Sequence, residues 1–359
     1  MKAIVVTPKQ PGSLRVEDVP QPTPQAGQVL LKVLRVGVCG TDRDIIAGFY
    51  GEAPKGSTSL TLGHESLCRI DELGQHVEDT SLAPGQLVVP TVRRPCADNC
   101  LNCRSDESDF CLTGNYEEHG IKLLNGFASQ FAVSDASFVV KMPDESLSDV
   151  GVLLEPLTVV EKGLMQTFLI QNSRMKWKPK RALVLGAGPV GLLATAILVL
   201  SGLSVDTVAT RSDESLKAQL VRQTGAGYIN AKQVDIRTLG SKYDIVFEIT
   251  GNPSVALEAQ QLIGVNGVVC YLGIYREKQD TEDAGRLFTD MVLGNKIHFG
   301  SVNANRTYFE RGARDLVDIR KKWPGFLEKM ITRRAKPEEL STAYSSESEE
   351  DVKSIIEFV

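Results

Sequence analysis

The stretch ALVLGAGPVGLLATAILVLSG at residues 182–202 decides the fold of this 359-residue chain. Its first five residues form an apolar run that predicts a strand, and the apolar spacing over 188–202 predicts a helix. The same alternation continues downstream, with strands expected at 203–210, 243–251, 267–273 and 296–302 and helices at 213–225 and 253–263. Alternating strands and helices of this length predict a doubly wound parallel sheet. Asp213 is the expected N-cap of the helix over 213–225.

The turn between the first strand and helix carries a glycine motif, formed by Gly186, Ala187, Gly188, Pro189, Val190 and Gly191. The first glycine permits a tight turn, the second lets the backbone approach a pyrophosphate, and the third lets helix and strand pack closely. The helix N-terminus presents free N–H groups to the phosphates. We therefore expect a dinucleotide-binding turn here, an ordinary strand–helix turn being the alternative.

The end of the next strand predicts NADP as the cofactor. A site for NAD usually places an acid there, about twenty residues on, for the ribose 2′-OH. The strand ends instead in Thr210, Arg211 and Ser212, and Arg211 can pair with a 2′-phosphate. Asp206 lies earlier in the strand, and the nearby Asp213 leaves the use of NAD open.

The pattern differs outside this region. Over residues 1–150, short alternating apolar runs at 2–6, 28–38, 67–73 and 86–90 are separated by turn signals, which predicts a β-barrel-like region. A helix is predicted over 148–170, with Ser148 or Asp149 as its cap. The tail predicts helices over 306–322 and 324–334 and a last strand over 351–359.

Composition excludes several classes of protein. Hydrophobic residues make up 42% and charged residues 24% of the chain, which is ordinary for a globular protein. The net charge of −5 argues against a nucleic-acid partner, because phosphate binding needs a basic surface. The longest apolar run, at 190–200, is too short to cross a membrane. The first residues have the pattern of a strand and not of a signal peptide, so a cytoplasmic protein is expected.

Four of the seven cysteines lie within sixteen residues, at Cys96, Cys100, Cys103 and Cys111. A local cluster of this kind indicates metal binding and not a disulfide framework. Four thiolates at such spacing can close a tetrahedral shell around a structural zinc ion. An iron–sulfur cluster is the competing interpretation.

A third signal is dispersed over two short motifs. Val38-Cys39-Gly40-Thr41-Asp42 follows one strand, and Leu62-Gly63-His64-Glu65 follows a later loop. In a chain with a dinucleotide fold, these motifs suggest a catalytic zinc ion bound by a thiolate and an imidazole, with a carboxylate nearby.

Taken together, these features resemble the zinc-containing medium-chain dehydrogenase/reductase superfamily, and within it the archaeal-type glucose (aldose) 1-dehydrogenase branch. The resemblance extends over nearly the whole chain. It is carried by VGVCGTDRDIIAG (36–48), LTLGHE (60–65), VVPTVRRPC (88–96), SDFCLTGNYEEHGI (108–121), LLEPLTVVEK (153–162), LGAGPVGLL (185–193) and GSVNANRTYFE (300–310).

The resemblance implies an α/β architecture of two domains. Residues 1–170 and 305–359 are expected to form a GroES-like β-barrel catalytic domain, and residues 171–304 a Rossmann domain with the doubly wound parallel sheet. Members of the superfamily are usually homodimers or homotetramers, assembled through an edge strand of that sheet, for which 296–302 is the candidate.

The resemblance also implies the roles of individual side chains. Cys39 and His64 match the ligands of a catalytic zinc ion, and Glu65 matches the carboxylate beside them. Glu155 matches an acid on the metal side or the substrate side, so that either carboxylate can be a direct ligand. Thr41 matches a hydroxyl that adjoins the reacting oxygen.

Further positions match substrate, cofactor and structural sites. Glu118 and Asn303 match residues that contact the sugar, and Asn303 is also expected at the cofactor. The four clustered cysteines match a structural zinc lobe, although their first gap is three residues where relatives have two.

The expected activity is zinc-dependent oxidation of an aldose, D-glucose or D-galactose, at C1 to the lactone, with hydride transfer to NADP or NAD. The sugar is the expected partner, without nucleic acid or membrane. A zinc-dependent polyol or secondary-alcohol dehydrogenase is the first alternative. A zinc-free quinone reductase and a non-enzymatic binding or structural protein are more remote.

Overall fold

A computed structural model describes residues 1–275, 287, 291, 293–294, 296–345 and 348–358. These form two compact units: a strand-rich unit of residues 1–158, 303–318 and 327–359, and a parallel-sheet unit of residues 159–302 and 319–326. The domain limits expected from the sequence, after 170 and before 305, differ from these bounds. The reason is that one long helix, Leu154–Arg174, contributes residues to both units.

The first part of the chain consists mainly of strands: β1 (Lys2–Val6), β2 (Arg15–Asp18), β3 (Gln28–Gly37), β4 (Leu60–Thr61), β5 (Glu65–Leu73), β6 (Leu87–Pro90), β7 (Arg93–Arg94), β8 (Glu117–His119), β9 (Leu123–Leu124), β10 (Phe131–Asp135) and β11 (Val139–Lys141). Between them lie two short helices, α1 (Gly40–Ile46) and α2 (Leu101–Arg104). Single 3-10 turns occur at Ser108–Phe110, Ala136–Phe138, Glu145–Ser148 and Gly151–Leu153.

Helices and strands then alternate: α3 (Leu154–Arg174), β12 (Arg181–Leu185), α4 (Pro189–Leu200), β13 (Ser204–Ala209), α5 (Leu216–Gln223), β14 (Gly227–Asn230), a 3-10 turn (Ile236–Leu239), β15 (Tyr243–Glu248), α6 (Pro253–Leu262), β16 (Ile263–Tyr271) and β17 (Ile297–Gly300). The chain ends with α7 (Arg306–Lys322), α8 (Phe326–Met330), β18 (Ile331–Ala335), α9 (Leu340–Tyr344) and β19 (Lys353–Glu357). None of the described helices is both long and apolar enough to cross a membrane.

The parallel-sheet unit confirms the doubly wound sheet. Its strands lie in the order β14-β13-β12-β15-β16-β17, and every neighbouring pair is parallel. The order reverses at β12, so the crevice at its carboxyl end is where such folds bind ligands. The central strand β12 is apolar and buried from Ala182 to Leu185, as expected where helices cover both faces of a parallel sheet.

The strand-rich unit is organised around the ten-residue strand β3. This strand pairs antiparallel with β5, β10 and β19, and the larger sheet has the order β11-β6-β5-β3-β19-β18. The last strand of the chain therefore lies directly beside an early one. This pairing positions residues from both ends of the sequence at one site.

Two predicted helix caps were wrong, for the same physical reason. The helix expected over 148–170 begins at Leu154, because the Asp149 carboxylate contacts Arg35 at 3.1 Å instead of capping a helix. The helix expected from Asp213 begins at Leu216, where Ser215 Oγ accepts the Ala218 N–H at 3.3 Å. The Asp213 carboxylate instead contacts Arg222 Nη2 at 2.9 Å. In both cases the acid pairs with an arginine instead of with the free N–H groups of the first helical turn.

The helix expected over 324–334 was also wrong in its second half. Helix α8 ends at Met330, and β18 follows at once. The strand pairs in parallel with β19, so its backbone groups are satisfied by the sheet. Tertiary pairing outweighs helix propensity at this point.

A ring of four side chains with alternating charge joins the last two strands to the rest of the strand-rich unit. Arg35 contacts Asp149 at 3.1 Å and Glu357 at 3.0 Å. Arg334 contacts the same two carboxylates at 3.5 and 2.7 Å. Burial raises the pKa of Glu357, but hydrogen bonds from both arginines outweigh it and bring the pKa below its ordinary value of 4.5.

We expect Glu357→Gln to lower the free energy of unfolding by about 1 kcal/mol near neutral pH. A carboxylate with a depressed pKa stabilises the fold above the pKa of the unfolded chain and loses this effect as the pH falls through its folded pKa. The difference from the parent should therefore shrink below pH 4.5. Denaturant unfolding at both pH values measures it. Glu17→Gln, in an exposed pair with Arg15, is the control, and an equal loss in both variants would contradict a special role for the ring.

Candidate active site

The pairing of β3 with β5 brings the two dispersed motifs together. Cys39 follows the end of β3, and His64 and Glu65 lie at the start of β5. The two strands are antiparallel, with Gly37 directly opposite Glu65. The ligand atoms of Cys39, His64 and Glu65 all lie within 4.8 Å of one another. His64 and Glu65 are buried, and Cys39 is half-buried.

A glycine makes room for the carboxylate of this cluster. A Cβ atom at Gly37 would lie 2.1 Å from Glu65 Oε2, closer than real Cβ contacts come. The space that a side chain would fill is therefore occupied by the Glu65 carboxylate. The Glu65 carboxylate can occupy this position only because residue 37 has no side chain.

Two charged residues, Asp42 and Lys353, contact members of this cluster. The sequence analysis gave neither of them a role. Asp42 Oδ2 accepts the Cys39 N–H at 2.9 Å, and Asp42 Oδ1 lies 3.6 Å from His64 Nδ1. The Lys353 ammonium contacts Glu65 Oε2, and its side chain is 3% exposed. Burial lowers the pKa of Lys353, but the negative groups Glu65 and Cys39 raise it above its ordinary value.

Glu155 and Thr41 are placed less directly. Glu155 lies in the first turn of α3, where burial raises its pKa to about 7 against the opposing effect of His64. Its carboxylate is outside the set of ligand atoms that share the 4.8 Å limit. Thr41 lies in the first turn of α1 and is half-buried. Direct metal binding by Glu155 and the role of Thr41 therefore stay predictions.

The donor set suits zinc. A thiolate, an imidazole and a carboxylate are the ligands of a catalytic zinc site, which keeps one position open for water or substrate. The acids and the thiol of this cluster also outnumber the one ammonium beside them, that of Lys353, so a divalent cation would balance the charge.

The four clustered cysteines converge as well. The sulfur atoms of Cys96, Cys100, Cys103 and Cys111 lie within 4.8 Å of one another. Backbone groups point at two of them: Cys96 Sγ accepts the Cys100 N–H at 3.4 Å, and Cys103 Sγ accepts the Cys96 N–H at 3.3 Å. The first of these bonds lowers the pKa of Cys96, which favours the thiolate. Four sulfur donors leave no open position, as a structural zinc site requires.

The predicted sugar contacts lie together in the strand-rich unit. Glu118 and Arg93 are opposite residues on β8 and β7, and Glu118 Oε1 accepts the Arg93 Nε–H at 2.9 Å. The same oxygen accepts from Asn303 Nδ2 at 3.0 Å. Asn303 has a φ of 57°, which places it in the left-handed region where asparagine is tolerated. The sequence did not indicate Arg93 as the partner that holds Glu118.

The glycine motif forms one side of a cavity of about 380 Å³ in the parallel-sheet unit. Gly186 has a φ of 111°, and a Cβ at Gly191 would lie 2.0 Å from the Gly186 carbonyl oxygen. The first and third glycines are therefore both needed for the turn. The cavity is lined by Leu185, Gly186, Ala187, Gly188, Val208, Ala209, Thr210, Arg211, Lys217, Ala231, Ile236, Thr250, Asn252 and Val255.

Several predicted cofactor residues fall outside this lining. Pro189, Val190 and Gly191 begin α4 behind the turn, and Ser212 lies just beyond Arg211. Asn303 belongs to the strand-rich unit. Their contacts with a cofactor stay predictions.

Family models match both parts of the chain. Residues 25–144 match the alcohol dehydrogenase GroES-like domain, and residues 148–358 match the glucose dehydrogenase C-terminus. Glucose 1-dehydrogenase 1 of Caldivirga maquilingensis is 45% identical over 357 residues, covering 99% of each chain. The glucose 1-dehydrogenase of Thermoproteus tenax is 46% identical over 344 residues, covering 96% of each.

A solved structure resembles the chain over its whole length. It is the glucose dehydrogenase of Haloferax mediterranei in complex with NADP, Zn and gluconolactone. The TM-score is 0.90 at 33% sequence identity, with 100% of this chain and 99% of the other covered.

A GroES-like domain joined to a Rossmann sheet, with these two clusters of ligands, defines a zinc-containing medium-chain dehydrogenase. The resemblance noted in the sequence is thus confirmed, and so is the fold class. Within that class, the chain belongs to the glucose dehydrogenase family.

Proposed function

We propose that the chain oxidises D-glucose at C1 to the lactone and transfers the hydride to NADP, with zinc at the active site. The observation that carries this function is the convergence of Cys39, His64 and Glu65 in a chain whose other unit holds a dinucleotide cavity. The relatives named glucose 1-dehydrogenase support the substrate, and the complex with NADP, Zn and gluconolactone supports the cofactors and the product.

Two groups of residues would hold the metals. Cys39 and His64 would bind the catalytic ion, together with Glu65 or Glu155, and the four clustered cysteines would bind the structural one. When bound, the catalytic zinc supplies a Lewis acid for the sugar hydroxyl, and NADP supplies the hydride acceptor. Every other contribution comes from side chains of this chain.

Two of these side chains orient the metal ligands. Asp42 faces the Nδ1 atom of His64, which leaves Nε2 as the nitrogen directed to the ion. Lys353 holds the Glu65 carboxylate and neutralises one of the buried negative charges. We expect both to set the position of a ligand and not to touch the substrate.

The proton of the C1 hydroxyl needs an acceptor. Because Lys353 engages Glu65, the remaining candidates from the sequence are Thr41, as a relay, and the Glu155 carboxylate. A general base must lie within hydrogen-bond reach of the proton that it takes. We expect one of these two groups to take the proton and pass it on to water.

The substrate contacts suit a polyhydroxylated molecule. Glu118 is buried, and its Oε1 atom takes the hydrogen bonds of both Arg93 and Asn303. We infer that Oε2 accepts from a sugar hydroxyl. A buried carboxylate prepared in this way rejects substrates that lack the hydroxyl, because its acceptor would stay unpaired.

We expect Glu118→Gln to raise the KM for glucose by about tenfold, with little change in the KM for NADP. The amide keeps the size of the side chain but replaces one acceptor oxygen. Steady-state kinetics with each substrate varied measure the effect. Glu117→Gln on the neighbouring position of β8 is the matched control, and an unchanged KM for glucose in a folded Glu118 variant would contradict the assignment.

The test of the activity is NADP reduction by the purified protein with D-glucose, D-galactose, sorbitol and a simple secondary alcohol. We expect an aldose to give the highest kcat/KM and a lactone to be the product. Preference for sorbitol or the secondary alcohol would favour the polyol or alcohol dehydrogenase instead. No reduction with any of them would contradict a dehydrogenase of this substrate range.

We also infer a homo-oligomer and a cytoplasmic location. Strand β17 is the last strand of the sheet among the described residues, and Val265 and Val302 are exposed apolar residues of the same unit. Such an edge can pair with that of a second copy. All seven cysteines are free of disulfides, as is usual in a reducing compartment. Light scattering should give the mass of a dimer or tetramer.

A further inference from the structure

We propose that the four-cysteine lobe, residues 96–111, sets the affinity for the sugar, because Arg93 links this lobe to Glu118. The inference rests on the proposed function, in which Glu118 accepts a hydrogen bond from a sugar hydroxyl. Arg93 is then a positioning residue, which holds the Glu118 carboxylate without touching the substrate. The lobe acts in substrate binding as well as in stability.

Arg93 contacts both the lobe and Glu118. Its side chain is 6% exposed, and its Nε and Nη2 atoms both lie 2.9 Å from Glu118 Oε1. Its third nitrogen, Nη1, donates to the carbonyl oxygens of Asp109 at 3.3 Å and Ser108 at 3.5 Å. Both carbonyls belong to the 3-10 turn Ser108–Phe110 of the lobe. One buried guanidinium group therefore joins the lobe to the proposed sugar ligand.

The turn that supplies these carbonyls is held by the rest of the lobe. Asn102, which lies in α2 between two of the cysteines, donates from Nδ2 to the Phe110 carbonyl oxygen at 2.7 Å. The Cys111 N–H donates to the Ser108 carbonyl oxygen at 3.2 Å. Four thiolates that share one ion are fixed relative to one another. The carbonyls that receive Arg93 are fixed with them.

A second connection runs from the same turn to Glu118. Asp109 Oδ1 accepts from Asn305 Nδ2 at 3.1 Å, and two residues earlier Asn303 Nδ2 donates to Glu118 Oε1 at 3.0 Å. Asn305 also caps α7, because its Oδ1 atom accepts the Thr307 N–H at 3.0 Å. All of these residues belong to the strand-rich unit. Both connections end at the same carboxylate oxygen, Oε1, and the proposed function assigns Oε2 to the sugar.

Tyr116 limits the movement of Arg93. The guanidinium carbon lies 3.7 Å from the centre of the Tyr116 ring, which is a cation–π contact. The same ring lies 4.7 Å from Lys122 Nζ, which donates to the Gly114 carbonyl oxygen at 2.7 Å. An ammonium group at position 93 would lack the planar fork that serves the carboxylate, the carbonyls and the ring together. The link therefore depends on arginine and not on positive charge alone.

Loss of the link should affect sugar binding in particular. Glu118 lies outside the cluster of Cys39, His64 and Glu65, so its displacement leaves the metal ligands in place. A carboxylate that moves by about 1 Å loses much of its hydrogen bond to a substrate, because such bonds weaken steeply with distance and angle. We expect a higher KM for the sugar at an unchanged kcat. A general loss of stability lowers the amount of active protein instead and leaves KM unchanged.

The experiment combines steady-state kinetics with calorimetric binding of freshly dissolved glucono-lactone to the zinc-loaded protein saturated with NADP. We expect Cys103→Ser to weaken the lactone and raise the KM for glucose about fivefold, with kcat and the KM for NADP within about twofold. Cys68→Ser, at a buried cysteine of the same unit outside the lobe, should change none of these values. Zinc content and thermal unfolding show which ion each variant has lost and that it has folded.

Substitutions of Arg93 test whether this residue carries the link. Arg93→Met should raise the KM for glucose about tenfold, and Arg93→Lys should recover little of the loss. The double variant with Cys103→Ser should bind the lactone no more weakly than Arg93→Met alone, because the link is already cut. Arg69→Met, which removes an arginine from Glu145 elsewhere in the same unit, is the control and should bind like the parent.

The outcomes separate the link from the function on which it rests. An unchanged KM for glucose in Glu118→Gln would overturn the sugar site itself. If Glu118→Gln raises this KM but folded Cys103→Ser and Arg93→Met bind the lactone like the parent, the link is overturned and the function stands. Additive effects of the two substitutions would also overturn it. Where either variant does not fold, Asn305→Ser keeps the helix cap and cuts the second connection, and it should weaken the lactone about threefold. Unchanged binding in this variant would count against the link.

Discussion

His64→Ala should reduce kcat/KM for glucose by at least about a thousandfold, while NADP binding changes by no more than a few-fold. The imidazole is one of three donors within 4.8 Å of one another, and its loss leaves a thiolate and a carboxylate that bind zinc weakly. The cofactor cavity is formed by residues of the other unit, so it should stay intact.

Metal analysis and kinetics on the same preparation check this result. The zinc content should fall from about two ions per chain to about one. His76→Asn is a matched control, because His76 is exposed and asparagine tolerates its φ of 58°. Full activity in the His64 variant, or an unchanged zinc content, would remove the imidazole from the mechanism.

Cys103→Ser should produce the second large effect, on stability and not on chemistry. Cys103 is buried, and all four donors of its site come from the protein, so one lost thiolate should release the ion. We expect Tm to fall by about 5–10 °C, because structural zinc contributes folding free energy directly. The kcat at a temperature well below Tm should change little.

Cys68→Ser provides the comparison for this variant. Cys68 is also buried but lies outside both clusters, so its substitution costs packing without costing a metal. An equal loss of stability in the two variants would mean that the four cysteines hold no ion. Iron in place of zinc in the parent protein would favour the iron–sulfur alternative, which differs in its visible absorption.

The fold could be predicted from the sequence wherever one physical pattern dominated. The glycine motif between an apolar strand and an apolar helix indicated the parallel sheet, and the strand order confirms it. The errors at Asp149 and Asp213 have a common cause. Both are good capping residues by type, but each is paired with an arginine outside the first helical turn: Arg35 for Asp149, and Arg222, nine residues further along, for Asp213. Local propensity cannot foresee such competition.

The residues of the candidate site that could be predicted are likewise those with a local signal in the sequence. Cys39 and His64 were found because each lies in a short motif next to a strand, the first after β3 and the second before β5. Lys353 could not be found, because only the pairing of β19 with β3 brings it to Glu65. Arg93 was missed for a related reason: a cation in a strand carries no sign of the partner it will meet.

The proposed chemistry depends on one ion shared by Cys39 and His64, and an anomalous difference map at the zinc edge, from crystals of the unmodified protein, tests this directly. We expect two peaks per chain, one among the four cysteines and one in contact with both Cys39 Sγ and His64. A peak among the four cysteines alone, in active protein of known zinc content, would contradict the proposed catalytic centre.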